Sequence, residues 1–563
     1  MSQTQNVLPL PLHSVAALLD EIGKRMELVG ESPFKIRAYY VAAENLVLIT
    51  TPLEELIAKG KLKEIPGVGE AIAEKIIKLH KTGTHPTLEF LREQFPAGVL
   101  DLLKIPGLGP KKAAALYQSL KISSLAELES ACRDGLLAKE KGFGAKFQDK
   151  ILEGLAFERK NVGLLRIDAA HDRARAACEA LKSRVPSFKE VLAAGSVRRA
   201  CEVVGGLDLV AVCDSEPPEP LESSADISVT IALPERLGTA LLFVTGNSEH
   251  VNALRSRATA RGLELTPEGL RRGSEELPCA DEAEIYAALG LPYIEPELRE
   301  GLGEIERAER SAQPRLIEES DLRGILHCHT DFSDGSNTLV QMAETVRKLG
   351  QQYFGVCDHS QSAAYARGMR FEKVRAQHQL ADDLNRQYEG KRFRILKGIE
   401  SDILEHGELD YSDEQLPQFD FIVASVHSRF QLSKKDQTAR IVNAVKNPFT
   451  TILGHPTGRL LLQRESYEVD VDEILKACAE HGVAVEINAD PHRLDLDWRW
   501  HGRALELGCM LSINPDAHDT GGFLNQKWGV LIARKGGVPA ERVLNCLDLP
   551  AIDKHFAERR KKR

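Results

Sequence analysis

His327, His329, Asp334, His359, Glu400, His427, His455, Asp516 and His518 are the residues of this chain best equipped for chemistry. Imidazole nitrogens mixed with carboxylate oxygens suit zinc, manganese or iron, whereas calcium favours oxygen ligands. Nine ligands exceed what one tetrahedral ion takes, so two or three divalent metals are expected. Ions clustered in this way lower the pKa of bound water from about 15.7 toward about 7 and neutralise phosphoryl oxygens. Hydrolysis of a phosphate ester then requires no nucleophilic side chain. Arg429, Arg459 and Arg493 are candidates to hold a non-bridging phosphate oxygen through paired hydrogen bonds.

These residues need elements that bring them to one place. Seven apolar runs alternate with helical patterns: "GILHCHT", "YFGVCDHS", "FRILKGIES", "FIVASVHS", "TTILGHP", "VAVEINA" and "MLSINPDAH". Strand-helix alternation predicts parallel strands, and seven of them suggest a closed α/β barrel. Side chains at the carboxyl ends of such strands converge on one mouth. Strand alternation then points both imidazoles of His327-Cys328-His329 to one face, and Asp516 with His518 is expected to repeat that geometry. The sixth run supplies no assigned ligand, which leaves Glu486 and Asn488 either lining the pocket or filling the barrel.

The motifs "HCHTDFSDG", "CDHS", "GIESDIL", "ASVHS", "GHPTGR", "EINADPHRLDLD" and "PDAH" resemble the PHP (polymerase and histidinol phosphatase) domain over nearly all of this segment. That resemblance implies one metal on His327, His329, Glu400 and Asp516, and a second on Asp334, His359 and His518. Glu400 would bridge to a third, shared with His427 and His455.

Upstream, "AAGSVRRACEVVGGLDLVAV" resembles the palm of family-X DNA polymerases, and the stretch from "LLFVTGNSEHVNALRS" to "EPELREGLGEIERA" resembles their thumb. By that likeness Ser196 and Arg199 are the triphosphate grip. The family's three catalytic aspartates fall on Gly206, Asp208 and Thr230, so only one acid remains. Two divalent ions cannot be held so close without anionic ligands, which argues against magnesium at the palm. Asp226 is discounted because moving it into place is expected to invert the faces of its strand. The stretch "EPPEPLESS" reads as a loop.

Near the start, "LKEIPGVGEAIAEKIIKLH" and "LLKIPGLGPKKAAALYQSL" repeat one pattern, a Pro-Gly-apolar-Gly turn leading into a helix. Glycines there permit positive φ and close backbone approach, and the helix start offers unpaired N–H groups to a phosphate. Gly67, Gly69, Gly107, Gly109, Lys111 and Lys112 are therefore candidate DNA-backbone contacts, and the pair resembles tandem helix-hairpin-helix motifs. Lys35, Arg37, Lys59, Lys61 and Lys63 are candidates for further phosphate contacts, and a neutral lysine among them for attack on an abasic sugar. Before the repeat, Val15, Leu18, Leu19, Ile22 and Met26 recur at helical spacing.

Together these readings predict a multidomain α/β protein. A helical DNA-binding region occupies 1–155, an α+β nucleotidyltransferase-like palm and thumb 156–318, and a seven-stranded PHP barrel 319–563. The net charge of −10 excludes a generally basic nucleic-acid coat while permitting local patches. Ten cysteines without a C-x-x-C pair, and no apolar leader, point to a reduced cytoplasmic setting. No run is apolar enough to span a bilayer, and "ERRKKR" reads as a solvated tail. The expected protein is a monomeric DNA-repair enzyme of the family-X/PHP type. It acts mainly as a metal-dependent 3′-to-5′ exonuclease or DNA-end phosphodiesterase on gapped, nicked or abasic DNA, with polymerase activity weak or absent. The alternatives are an active gap-filling polymerase, a DNA-binding platform without turnover, and hydrolysis of a small phosphate ester.

Overall fold

A computed structural model describes residues 9–47, 49, 51–214, 226–310 and 315–561. The "EPPEPLESS" loop lies outside the described residues. The chain divides into two units at Val162/Gly163. Helix Ala145–Asn161 runs past residue 155 and closes the first unit.

The first unit is helical and has two cores, one for each Pro-Gly turn. Val15, Leu19, Ile22 and Met26 are buried with Ile65 and Val68 in the first. Leu102, Ile105, Leu108 and Leu116 share the second. The apolar residues flanking each Pro-Gly pair thus anchor the turn while its glycines stay at the surface. Helices α1 (Glu70–Thr82) and α2 (Pro110–Leu120) follow the two turns.

In the second unit the palm is a three-stranded sheet of β1 (Glu190–Ala193), β2 (Leu207–Val212) and β3 (Ile227–Ala232), with β2 central. Helix α3 (Ile167–Arg184) covers one face through Ala170, Ala174 and Leu181, against Leu207, Leu209 and Ala211. Helix α4 (Leu237–Thr245) covers the other through Ala240, against Val210 and Ala232. The thumb is joined to the palm by Glu282, whose carboxylate takes both Arg198 (2.6 and 3.0 Å) and the buried Arg299.

The barrel strands are β4 (Gly324–Cys328), β5 (Tyr353–Val356), β6 (Arg394–Asp402), β7 (Phe421–Ser425), β8 (Ile452–Leu453), β9 (Ala484–Asn488) and β10 (Leu511–Asn514). All seven are parallel and ordered as in the sequence. A single bridge, Cys328 to Ala517, nearly closes β10 onto β4. Every residue of β7 is buried, as expected of a strand covered on both faces. The Phe421 ring fills the barrel so fully that a Cβ on Gly398 or Gly355 would lie 2.3 or 2.7 Å from it. Phe421 also stacks on Phe556 of the last helix, Leu549–Lys561, at 5.6 Å. This apolar plug occupies the amino end of the strands and leaves the carboxyl end for polar groups. The expected solvated tail is helical as far as Lys561, because Ile552 and Phe556 are buried in that plug.

Candidate metal centre

The carboxyl ends of the barrel strands bring all nine expected side chains together. Four overlapping groups have ligand atoms within 4.8 Å of one another: His329 with Asp334, His359 and His518; His327 with Glu400 and His455; His327 with His329 and Asp516; and His359 with Glu400 and His427. They cut across the division implied by the resemblance, with Glu400 at the hub. Its carboxylate lies 2.8 Å from His359 Nδ1, 3.0 Å from His455 Nε2, 3.1 Å from His427 Nε2 and 3.3 Å from His327 Nε2. Asp516 Oδ1 is 3.1 Å from His329 Nε2, and Asp334 Oδ2 is 3.4 Å from His518 Nε2.

Strand alternation does not by itself produce this convergence. The β4/β5 register shifts at Phe354/Val356, and His327 adopts φ +53° inside the irregularity. A bulge of this kind re-aims a side chain. Asp516 and His518 lie beyond the end of β10, and Asp516 has φ +52°. Their convergence therefore comes from a strained turn and not from strand geometry. Left-handed backbone at non-glycine residues costs about 1–3 kcal/mol and concentrates where function requires it.

The donor set fits divalent ions. His327 Nε2, His329 Nδ1, His359 Nδ1 and Glu400 Oε2 are buried and make no aligned hydrogen bond, even though His359 Nδ1 and Glu400 Oε2 lie 2.8 Å apart, and polar atoms left so at such depth are costly. Charge points the same way. Burial opposes ionisation of Glu400, yet His427, His359 and His327 hold its carboxyl well below the usual range. Asp516 is held down likewise by His327, His329 and His518. Burial also disfavours charge on His427 and His518, but Glu400 with Asp402, and Asp334 with Asp516, outweigh it and raise both to about 9. Burial and the neighbouring imidazoles of His518 and His359 lower His329 to about 4. The cluster's carboxylates thus call for positive charge, and protons on selected imidazoles meet that demand.

Three further acids support the cluster, and two of them, Asp402 and Asp358, are not singled out from the sequence. Glu486, fully buried, binds His327 Nδ1 at 2.5 Å and accepts from the His455 N–H at 2.6 Å, which resolves its role in favour of the pocket. Asn488 donates to Asp516 Oδ2 at 3.0 Å. Asp402 binds His427 Nδ1 at 2.6 Å. Asp358 accepts from Thr330 and Ser333, tying down the loop that carries Asp334. Such partners fix imidazole tautomer and orientation. Of the three arginines, Arg493 stands at the cluster, 3.5 Å from Asp516. Arg429 pairs with Glu405, and Arg459 with Asp497 and nearby carbonyls.

The palm is different. Asp208 lies on the face of β2 turned toward α4, beside Ser228 and two residues from the level of Thr230, and burial raises its pKa. Among the described residues no metal-type group includes it. Asp226 shares the even parity of Ser228 and Thr230, so a register shift would not invert the faces as expected from sequence. What removes it is its partner: the Asp226 carboxylate pairs with Arg173 of α3, on the opposite face of the sheet. Arg199 is also engaged, with Glu300 at 2.9 Å and the Thr245 carbonyl at 2.6 Å, while Lys535 of the barrel holds both Glu300 (2.5 Å) and the Arg199 carbonyl (2.9 Å). Ser196 sits in the short turn Gly195–Arg198.

In the first unit, Gly67 (φ +80°) and Gly107 (φ +83°) are the left-handed residues of two tight turns closed by Val68 N–H to Ile65 and Leu108 N–H to Ile105, each 3.0 Å. Gly69 and Gly109 are extended caps of α1 and α2, so positive φ is required at one glycine per copy, not two. A Cβ at either cap would meet nothing within 4 Å. Lys112 lies over the Phe147 ring at 3.9 Å beside Lys111. Lys35, Lys59, Lys61 and Lys63 each pair with a glutamate.

Comparison with known proteins agrees with this architecture. The chain matches the models of a helix-hairpin-helix domain (residues 11–85), a SAM-like helix-hairpin-helix tandem (99–156), the DNA polymerase beta thumb (240–300) and the PHP domain (326–490). It is 35% identical over 567 aligned positions to the DNA polymerase/3′-5′ exonuclease PolX of Bacillus subtilis (strain 168), covering 96% of this chain and 98% of that one. The chain belongs to the PolX family. Within this PolX chain the barrel segment also resembles free-standing proteins. A probable phosphatase of Thermoanaerobacter sp. (strain X514) is 28% identical over 251 positions, covering 42% of this chain and 95% of the relative. One from Shewanella sp. (strain MR-4) is 28% identical over 211 positions, covering 35% and 78%. No helix among the described residues is long and apolar enough to cross a membrane.

Proposed function

We propose that this PolX-family chain is a DNA-repair enzyme whose working centre is the barrel mouth, a metal-dependent 3′-to-5′ exonuclease or DNA-end phosphodiesterase. The observation that carries the reading is the nine-residue cluster, six of its members buried and Glu400 at its hub, in one chain with two Pro-Gly turns suited to the DNA backbone. His327, His329, Asp334, His359, Glu400, His427, His455, Asp516 and His518 would hold two or three divalent ions, zinc, manganese or iron. Those ions supply hydroxide from water at neutral pH and offset charge on the phosphoryl oxygens. The chain's own residues do the rest. Glu486 and Asp402 keep Nε2 of His327 and His427 aimed into the cluster. Arg493 offers a guanidinium beside Asp516 for a phosphate oxygen.

Nucleotide joining is weak or absent in this reading, because Asp208 lacks a second carboxylate and Arg199 is already engaged. DNA is held through its backbone, without sequence readout, by the turns at Gly67, Gly69, Gly107 and Gly109 with Lys111 and Lys112. Gapped, nicked or abasic DNA is the proposed substrate, and the monomer the working form. The phosphatase relatives favour phosphate-ester chemistry at the barrel, whereas whole-length identity to a polymerase/exonuclease favours a nucleic-acid ester. The test is digestion of end-labelled DNA with manganese. His359→Ala and Asp516→Ala should abolish it, and digestion at the wild-type rate by those variants refutes the assignment.

A further inference from the structure

Tyr365 stands at the rim of the cluster with 68% of its surface in solvent, among the most exposed large hydrophobic residues of those described. Its ring centroid is 5.8 Å from that of His359 and 6.0 Å from that of His427, tilted 64° and 67° to them. The rings meet edge-to-face and not stacked flat, while most of the Tyr365 side chain remains in solvent. The position is built, not incidental. The single turn Ala364–Ala366 is pinned by Ala366 N–H to Ala363 (3.0 Å) and Gly368 N–H to Ala363 (3.0 Å), and by Met369 N–H to the His359 carbonyl (2.8 Å). Asp410 fastens its start through the Ser362 N–H at 2.6 Å. A Cβ on Gly368 would lie 1.9 Å from the Ser360 carbonyl oxygen, so the loop closes only with glycine there. Two residues on, the exposed Arg367 reaches the Gly335 carbonyl, beside Asp334.

Hydrolysis of a phosphate ester needs no aromatic ring at the rim. A ring kept in water about 6 Å from two imidazoles of the centre has a use when the phosphate bound there carries a base. From this geometry we infer that Tyr365 is the stacking platform for the terminal base of a single strand entering the barrel, with Arg367 attracting the strand's backbone. The inference deepens the nuclease reading and rests on it for the substrate class. Stacking of one base on an aromatic side chain is worth about 1–3 kcal/mol, or roughly 5- to 150-fold in affinity. Tyr365 is therefore a specificity determinant: it separates DNA ends from small phosphate esters without taking part in bond cleavage.

The experiment uses full-length protein, manganese, and two single-stranded oligonucleotides, one with an ordinary 3′-terminal nucleotide and one ending in a baseless tetrahydrofuran residue. Wild-type protein should show a KM about 10-fold lower for the ordinary end. In Tyr365→Ala the two substrates should converge on the KM of the baseless one, while Tyr365→Phe and Tyr365→Trp should retain the difference. A second readout is quenching of a 3′-terminal 2-aminopurine on binding in calcium, present in wild type and lost in Tyr365→Ala. Retained discrimination and quenching in Tyr365→Ala overturn the inference and leave the nuclease reading intact. Quenching that depends on Tyr365 without digestion by wild type sustains the inference and removes the nuclease reading. Absence of both signals in wild type overturns the inference, as does a Tyr365→Phe variant indistinguishable from Tyr365→Ala.

Discussion

Asp402→Asn isolates what a supporting carboxylate contributes to the barrel mouth. Asp402 is 5% exposed, and its Oδ1 meets His427 Nδ1 at 2.6 Å. An asparagine oxygen keeps the acceptor and the shape, and the backbone N–H still donates to Ser360 Oγ, so the change removes charge alone. A charge-assisted hydrogen bond is about twice as strong as a neutral one worth about 1 kcal/mol, so about 1 kcal/mol is lost. Replacing such partners of histidine ligands typically weakens metal binding about 10- to 100-fold, or about 1.4–2.7 kcal/mol. The two estimates meet near a 10-fold loss. Asp402 also helps raise His427 to about 9, so the variant suffers less competition from protons below that pH. The deficit should therefore be smaller at pH 7 than at pH 9.5. Chelator competition with zinc or manganese at both pH values measures it. Wild-type affinity at both, or a deficit that shrinks as pH rises, would refute the reasoning.

Three further outcomes are expected. His427 and His518, raised to about 9 against about 6.5 unfolded, contribute stability fully present below pH 6.5 and lost as pH rises to 9. Scanning fluorimetry of chelator-treated protein should show Tm falling across that window and metal restoring most at its upper end; a Tm that is flat or rising contradicts it. In the first unit, Gly69→Ala and Gly109→Ala place a methyl in open space at extended caps, so stability should change by less than about 1 kcal/mol while DNA affinity by anisotropy falls several-fold. Gly67→Ala instead forces a left-handed alanine against Val41 Cγ1 at 2.5 Å and should lose at least about 1–2 kcal/mol in urea denaturation.

What was legible in the sequence, and what was not, divides along chain distance. His359, His427 and His455 are readable because a polar residue ending an apolar run announces itself locally. The seven-stranded order followed from alternation for the same reason. The role of Glu486 is not decided by the sequence because its partner, His327, sits 159 residues away, across a barrel whose closure the sequence does not display. Asp402 and Asp358 carried a weak signal, lying two residues from Glu400 and next to His359, but their meaning depends on which strands are adjacent. Strand alternation does not foresee the bulge at His327 or the turn at Asp516, since left-handed backbone at a histidine or aspartate leaves no mark in the pattern. At the palm, the missing acids were plain from Gly206 and Thr230. The fate of Asp226 was not, because only the packing of α3 reveals Arg173 as its partner.

The central claim is that hydrolysis belongs to the histidine-lined barrel while nucleotide joining at the palm is weak or absent. One gel tests both halves: a 5′-labelled primer on a gapped template, with manganese and all four deoxynucleotides, incubated with wild type and with Glu400→Gln. Stepwise shortening by wild type, no shortening by Glu400→Gln, and little or no lengthening by either is the predicted result. Robust template-dependent lengthening, or shortening that survives Glu400→Gln, would contradict it.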